Sequence, residues 1–310
     1  MLTKEFLLKK KFLVIGIGEI LWDLLPSGKM LGGAPTNFAF HANQLGGRGI
    51  PVSAVGDDEL GNEIFSELNK RNIDSNFIQQ IENQKTGVVE ITFNEAEPNY
   101  NIIENVAWDN LQITDELLRL FENADAVCFG TLAQRSKNNK VVIDTLLSVT
   151  KSSCIKYFDI NLRQNYYSYE LINHIAQISN IIKLNEDELK VLSNIFDLEG
   201  DRLQKCRLII QQFDLDLVVL TMGNKGSLLV TLNDSSQIKP VINQVVDTIG
   251  AGDSFSAAII IGLLNQLDLK SLNEFASEVS SFVCSCQGAT PVLTKRLKNW
   301  IQNKCERLEI

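Results

Sequence analysis

The chain has 310 residues, 45% hydrophobic and 22% charged, with a formal net charge of -9. That length suits one large α/β unit with a small appendage and a sizeable core, and the composition is that of an ordinary globular chain. The acidic balance excludes a broad basic face for nucleic acid, although local amides and a metal ion can still manage a nucleotide's phosphates.

Lys9-Lys10-Lys11 followed by the apolar run 12–17 imitates a signal peptide, but the run is short, stops at Glu19 and lacks a small-residue cleavage site. No stretch reaches the length of a membrane span, so a soluble, cytoplasmic protein is expected. Residues 12–18 read as a buried first strand. The pair Gly16 and Gly18 invites a dinucleotide-binding reading, yet Leu21 stands where the third glycine belongs. Residues 19–25, the turn Pro26-Ser27-Gly28-Lys29 and Met30-Leu31 suggest a hairpin. The segment Leu31 to Asn37 then leads into a helix over 35–45, with Pro35 in its first turn. A strand at 51–56 and a helix over 59–71 follow.

Val88, Val89, Ile91 and Phe93, a turn at 94–99, then Tyr100, Ile102 and Ile103 read as a second hairpin. The two insertions, at about 19–33 and 86–106, are expected to pair as a small lid on a single domain spanning 1–310. Open edges and apolar residues on both faces of such a sheet suggest a homodimer through the lid. Beyond it, strands at 126–129, 155–159, 181–184 and 217–221 alternate with helices near 114–121, 138–150, 169–178, 186–194 and 201–212. That rhythm implies a parallel sheet covered on both faces. Strands at 227–230 and 241–246 precede a helix over 256–264, and helices near 271–287 and 293–304 close the chain. The six cysteines (Cys128, Cys154, Cys206, Cys284, Cys286 and Cys305) are scattered. Cys284 and Cys286 have no matching pair or histidine cluster, so reduced thiols are expected rather than zinc.

Ligands of parallel sheets bind beyond the carboxyl ends of the strands. Asp159, Asn161 and Arg163 fall after one strand, Asn185 and Glu188 after another, Thr221, Gly223 and Gly226 after a third, and the stretch Asp247 to Phe255 after the last. In that stretch Gly250 and Gly252 let the backbone turn sharply and leave N–H groups bare at a helix start, a place for an anion such as phosphate. Asp253 would repel an anion as a ligand, so it serves either as a base for a hydroxyl or as a helix cap. Asn185 and Glu188 form a capping box that could also hold water on magnesium. Thr221 to Gly226 is a hairpin turn or the wall of a nucleotide site. Arg163 is a solvated residue or a phosphate contact. Asp23 and Asn37 carry the groups that grip vicinal hydroxyls, and Gly32-Gly33 between them is a turn or a hinge. His41 and His174 lie in helical runs and are read as structural.

Together these residues resemble the ribokinase-type (PfkB) carbohydrate kinase family, over about residues 12–293. The carriers are Asp247-Thr248-Ile249-Gly250-Ala251-Gly252-Asp253-Ser254-Phe255, Gly32-Gly33-Ala34-Pro35-Thr36-Asn37 in a fructokinase-like form, and Ala107-Trp108-Asp109. The resemblance implies a ribokinase-like three-layer α/β sandwich with a mostly parallel central sheet and a small β lid. It implies transfer from ATP, with Mg2+, to the primary 6-hydroxyl of a free ketohexose, fructose above others. Asp253 would be the base, and Gly250, Ala251 and Gly252 the anion hole. Asp23, Gly32, Gly33 and Asn37 would contact sugar, and Arg163 the phosphate side. Asn185, Glu188, Thr221, Gly223 and Gly226 would serve nucleotide and magnesium, Glu188 through water. Asp247 and the Ile249 carbonyl would match a K+ site. Ribokinases usually carry lysine where Ala34-Pro35 stands, which favours a hexose over ribose. Other acceptors (2-keto-3-deoxygluconate, ribose, a nucleoside) and a non-catalytic sugar sensor remain alternatives, the intact Gly250 to Asp253 arguing against the sensor.

Overall fold

The computed structural model describes residues 11–25, 28–94, 97–239 and 244–308, and their side chains outside 91–100 and 305–308. The chain opens with strands β1 (Leu13–Ile17), β2 (Leu21–Leu25) and β3 (Gly28–Gly32), helix α1 (Ala34–Gln44), β4 (Arg48–Gly56) and α2 (Glu59–Lys70). Then come β5 (Ile78–Ile81), β6 (Gly87–Asn94), β7 (Glu97–Ile102), α3 (Asp115–Glu122), β8 (Ala126–Phe129), α4 (Lys137–Ser148) and β9 (Ile155–Asp159). Next are α5 (Tyr169–Gln177), β10 (Ile181–Asn185), α6 (Glu186–Ile195), α7 (Arg202–Phe213) and β11 (Leu217–Thr221). The chain ends with β12 (Ser227–Val230), β13 (Ser235–Ile238), α8 (Ala251–Leu264), α9 (Leu269–Cys284), α10 (Lys295–Lys298) and α11 (Trp300–Leu308).

Successive side chains leave a strand on opposite faces, so a strand apolar at every position serves two cores. Ile15 and Ile17 of β1 enter one core and Val14 the other; Phe158 and Tyr157 of β9 divide likewise, as do Val218 and Val219 of β11. The first core is closed by α3 to α7 and the second by α1, α8 and α9. Three layers result, as expected. The large sheet runs β13-β12-β11-β10-β9-β8-β1-β4-β5. It is parallel from β5 to β11 and antiparallel at β12 and β13.

The inserted strands form a separate sheet in the order β3-β2-β6-β7. Each hairpin is antiparallel, and β2 joins β6 in parallel, Leu21 opposite Gly87. The hairpin turns at 26–27 and 95–96 lie outside the described residues. Some expectations need correction, and one edge strand was not foreseen. Residues 244–246 form no strand, and 241–243 lie outside the described residues; the strand beside β12 is β13 instead, where the alternating Ser235-Ser236-Gln237-Ile238 buries Ser236. Short, half-polar β5 extends the other edge. The helix expected from 256 begins at Ala251, since Gly250 supplies the left-handed residue that starts it.

Cys128, Cys154, Cys206 and Cys284 are buried free thiols and Cys286 is half-buried; the side chain of Cys305 lies outside the described residues. Among the described residues no helix is long and apolar enough to cross a membrane. His174 is a half-buried partner of Asp144 at 2.8 Å.

The small sheet is fastened to the body by Arg135. Its guanidinium forks onto Asp109, Nε to Oδ1 at 2.9 Å and Nη2 to Oδ2 at 2.8 Å, and Nη2 also donates to the Ile103 carbonyl just beyond β7. It stacks over the Trp108 ring at 4.0 Å and the Tyr166 ring at 4.8 Å. Both ion-pair side chains are buried, 6% and 8% exposed, so removing one partner strands the other charge away from water. Arg135→Met should therefore destabilise the chain by about 3–5 kcal/mol in urea unfolding. A loss below about 1 kcal/mol would mean the pair is dispensable.

Candidate active site

Parallel strands deliver their last residues to one rim. Asp159 ends β9, Asn185 ends β10 and Thr221 ends β11, while Glu19 follows β1. Two helices start against that rim. Helix α1 begins after Gly33, whose positive φ of 119° is one that L side chains avoid and whose Cβ, were there one, would collide with the Glu19 carbonyl. Helix α8 begins after Gly250, at φ 76° and packed against the Ala289 backbone.

The two starts meet. Asn37, buried in the first turn of α1, donates its Nδ2 to Oδ2 of Asp253 in the first turn of α8 at 2.8 Å. No side chain caps α8, so Asp253 is not the helix cap that its sequence position allows. Its carboxyl is turned to the cleft, and burial raises it to about 6, opposed first by the Asn37 amide, with Asp159 raising it and Lys183 and Arg163 lowering it. Burial likewise raises Asp23, on β2, to about 6 against the pull of Arg163. Gly32, opposite Leu21 on the partner strand, lies against the Asp23 carboxylate, which any Cβ there would strike. Asn37 and Asp253 are thus in direct contact, Gly32 touches Asp23 and Gly33 touches Glu19, and the exposed Arg163 acts electrostatically on Glu19, Asp23 and Asp253 alike.

The remaining candidates lie further along the rim. Glu188 is buried, and its two oxygens accept from the backbone N–H groups of Leu162 at 2.9 Å and Asn185 at 2.8 Å. The capping box is real, and burial raises the Glu188 carboxyl while Lys183 lowers it. Thr221, Gly223 and Gly226 occupy the β11–β12 hairpin and share no hydrogen bond with the Asp253 cluster among the described residues. Gly223 is left-handed at φ 56° with open space around it, and Gly226, at φ 99°, is pressed against the Ile238 carbonyl. Asp247 accepts from Ile249 N and from Gly288 N, each at 3.0 Å, tying the turn before α8 to the loop after α9.

Sequence reasoning missed the ionic group beneath this rim. Lys183 is buried in β10 and grips Asp159 with Nζ at 2.9 and 2.7 Å from its two oxygens. Burial disfavours its charge, yet Asp159, Glu188 and Asp253 together more than compensate and its pKa is raised. Its ammonium lies 3.1 Å from where a Cβ on Gly252 would stand. Ser256 bonds both Asp159, at 2.9 Å, and the Gly252 carbonyl, at 3.0 Å. A lysine inside the otherwise apolar run Ile181-Ile182-Lys183-Leu184 was the available signal. Glu19, 7% exposed, was passed over as the end of an apolar run. Asn161 at φ 43° marks the turn after β9, a conformation that asparagine tolerates better than most residues.

Residues 28–296 match the family described as pfkB family carbohydrate kinase. The fructokinase of Solanum tuberosum is 26% identical over 303 residues, covering 91% of this chain and 92% of that protein. The ATP-dependent 6-phosphofructokinase of Thermoanaerobacterium thermosaccharolyticum is 25% identical, with 90% of each covered. Among solved structures, an uncharacterized sugar kinase from Pyrococcus horikoshii in complex with ATP superposes with a TM-score of 0.77 at 28% identity, over 90% of this chain and 94% of that one. A fructokinase with bound ATP from Xylella fastidiosa shares the fold, with a TM-score of 0.80 at 20% identity over 96% and 99% of the two chains.

The two left-handed glycines of the rim separate strain from crowding. Gly223→Ala pays only for its backbone conformation, about 1 kcal/mol. Gly250→Ala pays that and must also push aside the Ala289 backbone, so its loss in urea unfolding should exceed that of Gly223→Ala by about 1–3 kcal/mol. Equal losses would show that Gly250 is not held against Ala289.

Proposed function

The chain belongs to the pfkB family of carbohydrate kinases, and from that premise we propose that it moves the γ-phosphoryl group of ATP onto the 6-hydroxyl of free fructose. The observation that carries the reading is the Asn37–Asp253 bond of 2.8 Å, which joins an acceptor-side motif to a phosphate-side motif 216 residues apart. The acceptor hydroxyl lies against Asp253, held by Asp23 and Asn37 over the bare backbone of Gly32 and Gly33. As its oxygen bonds to phosphorus and the bond from phosphorus to the ADP oxygen breaks, its proton passes to Asp253. N–H groups of Gly250, Ala251 and Gly252, at the positive end of α8, take up charge on the moving group. Arg163 meets the phosphate side.

Asn185, Glu188, Thr221, Gly223 and Gly226 line the nucleotide's side of the cleft. Its base would lie in a pocket of about 610 Å³ between α9 and the end of β13, lined by Ile238, Ser277, Ser281 and Phe282; Ser280, also on α9, donates to the Ala251 carbonyl at 3.0 Å. Glu188 fits Mg2+ held through water, because both its oxygens already accept amides and that ion keeps most of its waters. Bound there, magnesium would neutralise charge on the phosphates. Asp247 and the Ile249 carbonyl, hard oxygens on one turn, suit K+.

Burial around Glu19, Asp23 and Asp253 already gathers three carboxyls about the single guanidinium of Arg163. A sugar acid would bring a further carboxylate into a space already short of cations, so an uncharged sugar is favoured. The small sheet closes over the acceptor as a lid that keeps out water, on a single domain, and its open edges β3 and β7 join two copies into a homodimer. The setting is cytoplasmic, in keeping with the free thiols.

A coupled assay of ADP release over fructose, ribose, 2-keto-3-deoxygluconate and a nucleoside should give fructose the highest kcat/KM. Asp253→Asn should lower kcat about 10²–10⁴-fold with little change in ATP affinity. Near-normal turnover by that variant would remove Asp253 from its role, and silence over the panel with sugar binding intact would favour a sensor.

A further inference from the structure

Glu19 is a buried acid that the mechanism above leaves without a task. Its Oε1 accepts from the backbone N–H of Ala34 at 3.2 Å. Ala34 is the first residue of α1, so this bond fixes the turn from which Asn37 reaches Asp253. The Glu19 carboxyl also lines, with Asp159, Asn161 and Asp253, a cavity of about 20 Å³, enough for one water. Around it stand Asp253 on α8, Asp159 on β9, Arg163 beyond β9, Lys183 on β10 and Cys128 on β8. Lys183 is committed to Asp159 by two hydrogen bonds. The bond that Glu19 receives comes from a neutral amide instead. Two carboxyls sharing one small space away from water cannot both ionise cheaply.

We propose that Glu19 is a positioning residue for Asp253: one oxygen pins α1 and through it Asn37, while the other keeps a proton across the shared cavity and leaves Asp253 as the ionised partner. The inference rests on the kinase reading, which gives Asp253 its duty. Burial raises Glu19 to about 7, against its own backbone N–H, that of Ala34 and Arg163, with Asp253 adding to the rise. Asp253, at about 6, loses its proton first. The pair therefore holds one proton near neutrality, on Glu19 by preference. During transfer the hydroxyl proton goes to Asp253 and Glu19 keeps its own, so the carboxyl pair never sets two negative charges beside the polyphosphate.

Glu19→Gln keeps an oxygen for Ala34 and removes the ionisable proton, whereas Glu19→Leu removes both. kcat/KM for the acceptor reports the free enzyme. For the wild type it should rise through about pH 6 with Asp253 and bend down above about pH 7 as Glu19 ionises. Glu19→Gln should keep the lower limb and lose the upper one, and Glu19→Leu should lose about tenfold or more in kcat at every pH. A readout free of turnover separates this idea from the kinase reading. A carboxyl raised in the fold stabilises fully below its unfolded value and loses that contribution as pH climbs through its folded value, here about 7. The melting temperature of Glu19→Gln should gain on the wild type between pH 5 and pH 8, even if no sugar is turned over. A pH-independent difference, an unchanged upper limb, or failure of Glu19→Gln to fold at pH 8 would overturn the proposal.

Discussion

One hydrogen bond, from the amide of Asn37 to the carboxylate of Asp253, sets the geometry on which the site depends. It joins the first turns of two helices packed side by side against the same face of the sheet. Helix α1 is gripped further along as well. His41 donates Nε2–H to the Ala289 carbonyl at 2.9 Å, and Gln44 bonds the Pro291 carbonyl and the Leu293 N–H at 3.0 and 2.9 Å. Burial lowers His41 to about 4, so the ring stays neutral and its donor stays in place at ordinary pH. Because Ala289 presses on Gly250, one helix fixes Asn37 and the loop that backs the start of α8 together. The structural reading of His41 holds, with a more exact duty than filling space.

Much of this was legible in the sequence because backbone needs leave marks there. Gly250 and Gly252 before an apolar run announce a bare helix start, and apolar strands spaced by amphipathic helices announce a covered parallel sheet. The edges of that sheet were harder. Strands β5 and β13 are half polar, since little covers them, and period-two patterning fades where burial does.

Glu19 and Lys183 were illegible for a different reason. A charged residue in an apolar run shows that something unusual occurs, but its partner is set by the fold. Lys183 meets Asp159 across adjacent strands, 24 residues away, and Glu19 meets Asp253 only after the whole chain has closed. The capping box of Asn185 and Glu188 shows the reverse case. Its local pattern was read correctly, yet one oxygen of Glu188 also braces Leu162, which no spacing could reveal.

The Lys183 ammonium lies 3.1 Å from where residue 252 would carry a Cβ. That tip ends a flexible chain, so an alanine at 252 would ask it to give by only a few tenths of an ångström. What resists the shift is the pair of bonds that hold Nζ on Asp159. The size of residue 252 is therefore felt first by the buried ion pair beneath the turn, and through Ser256, which bonds both Asp159 and the Gly252 carbonyl, by the start of α8 itself.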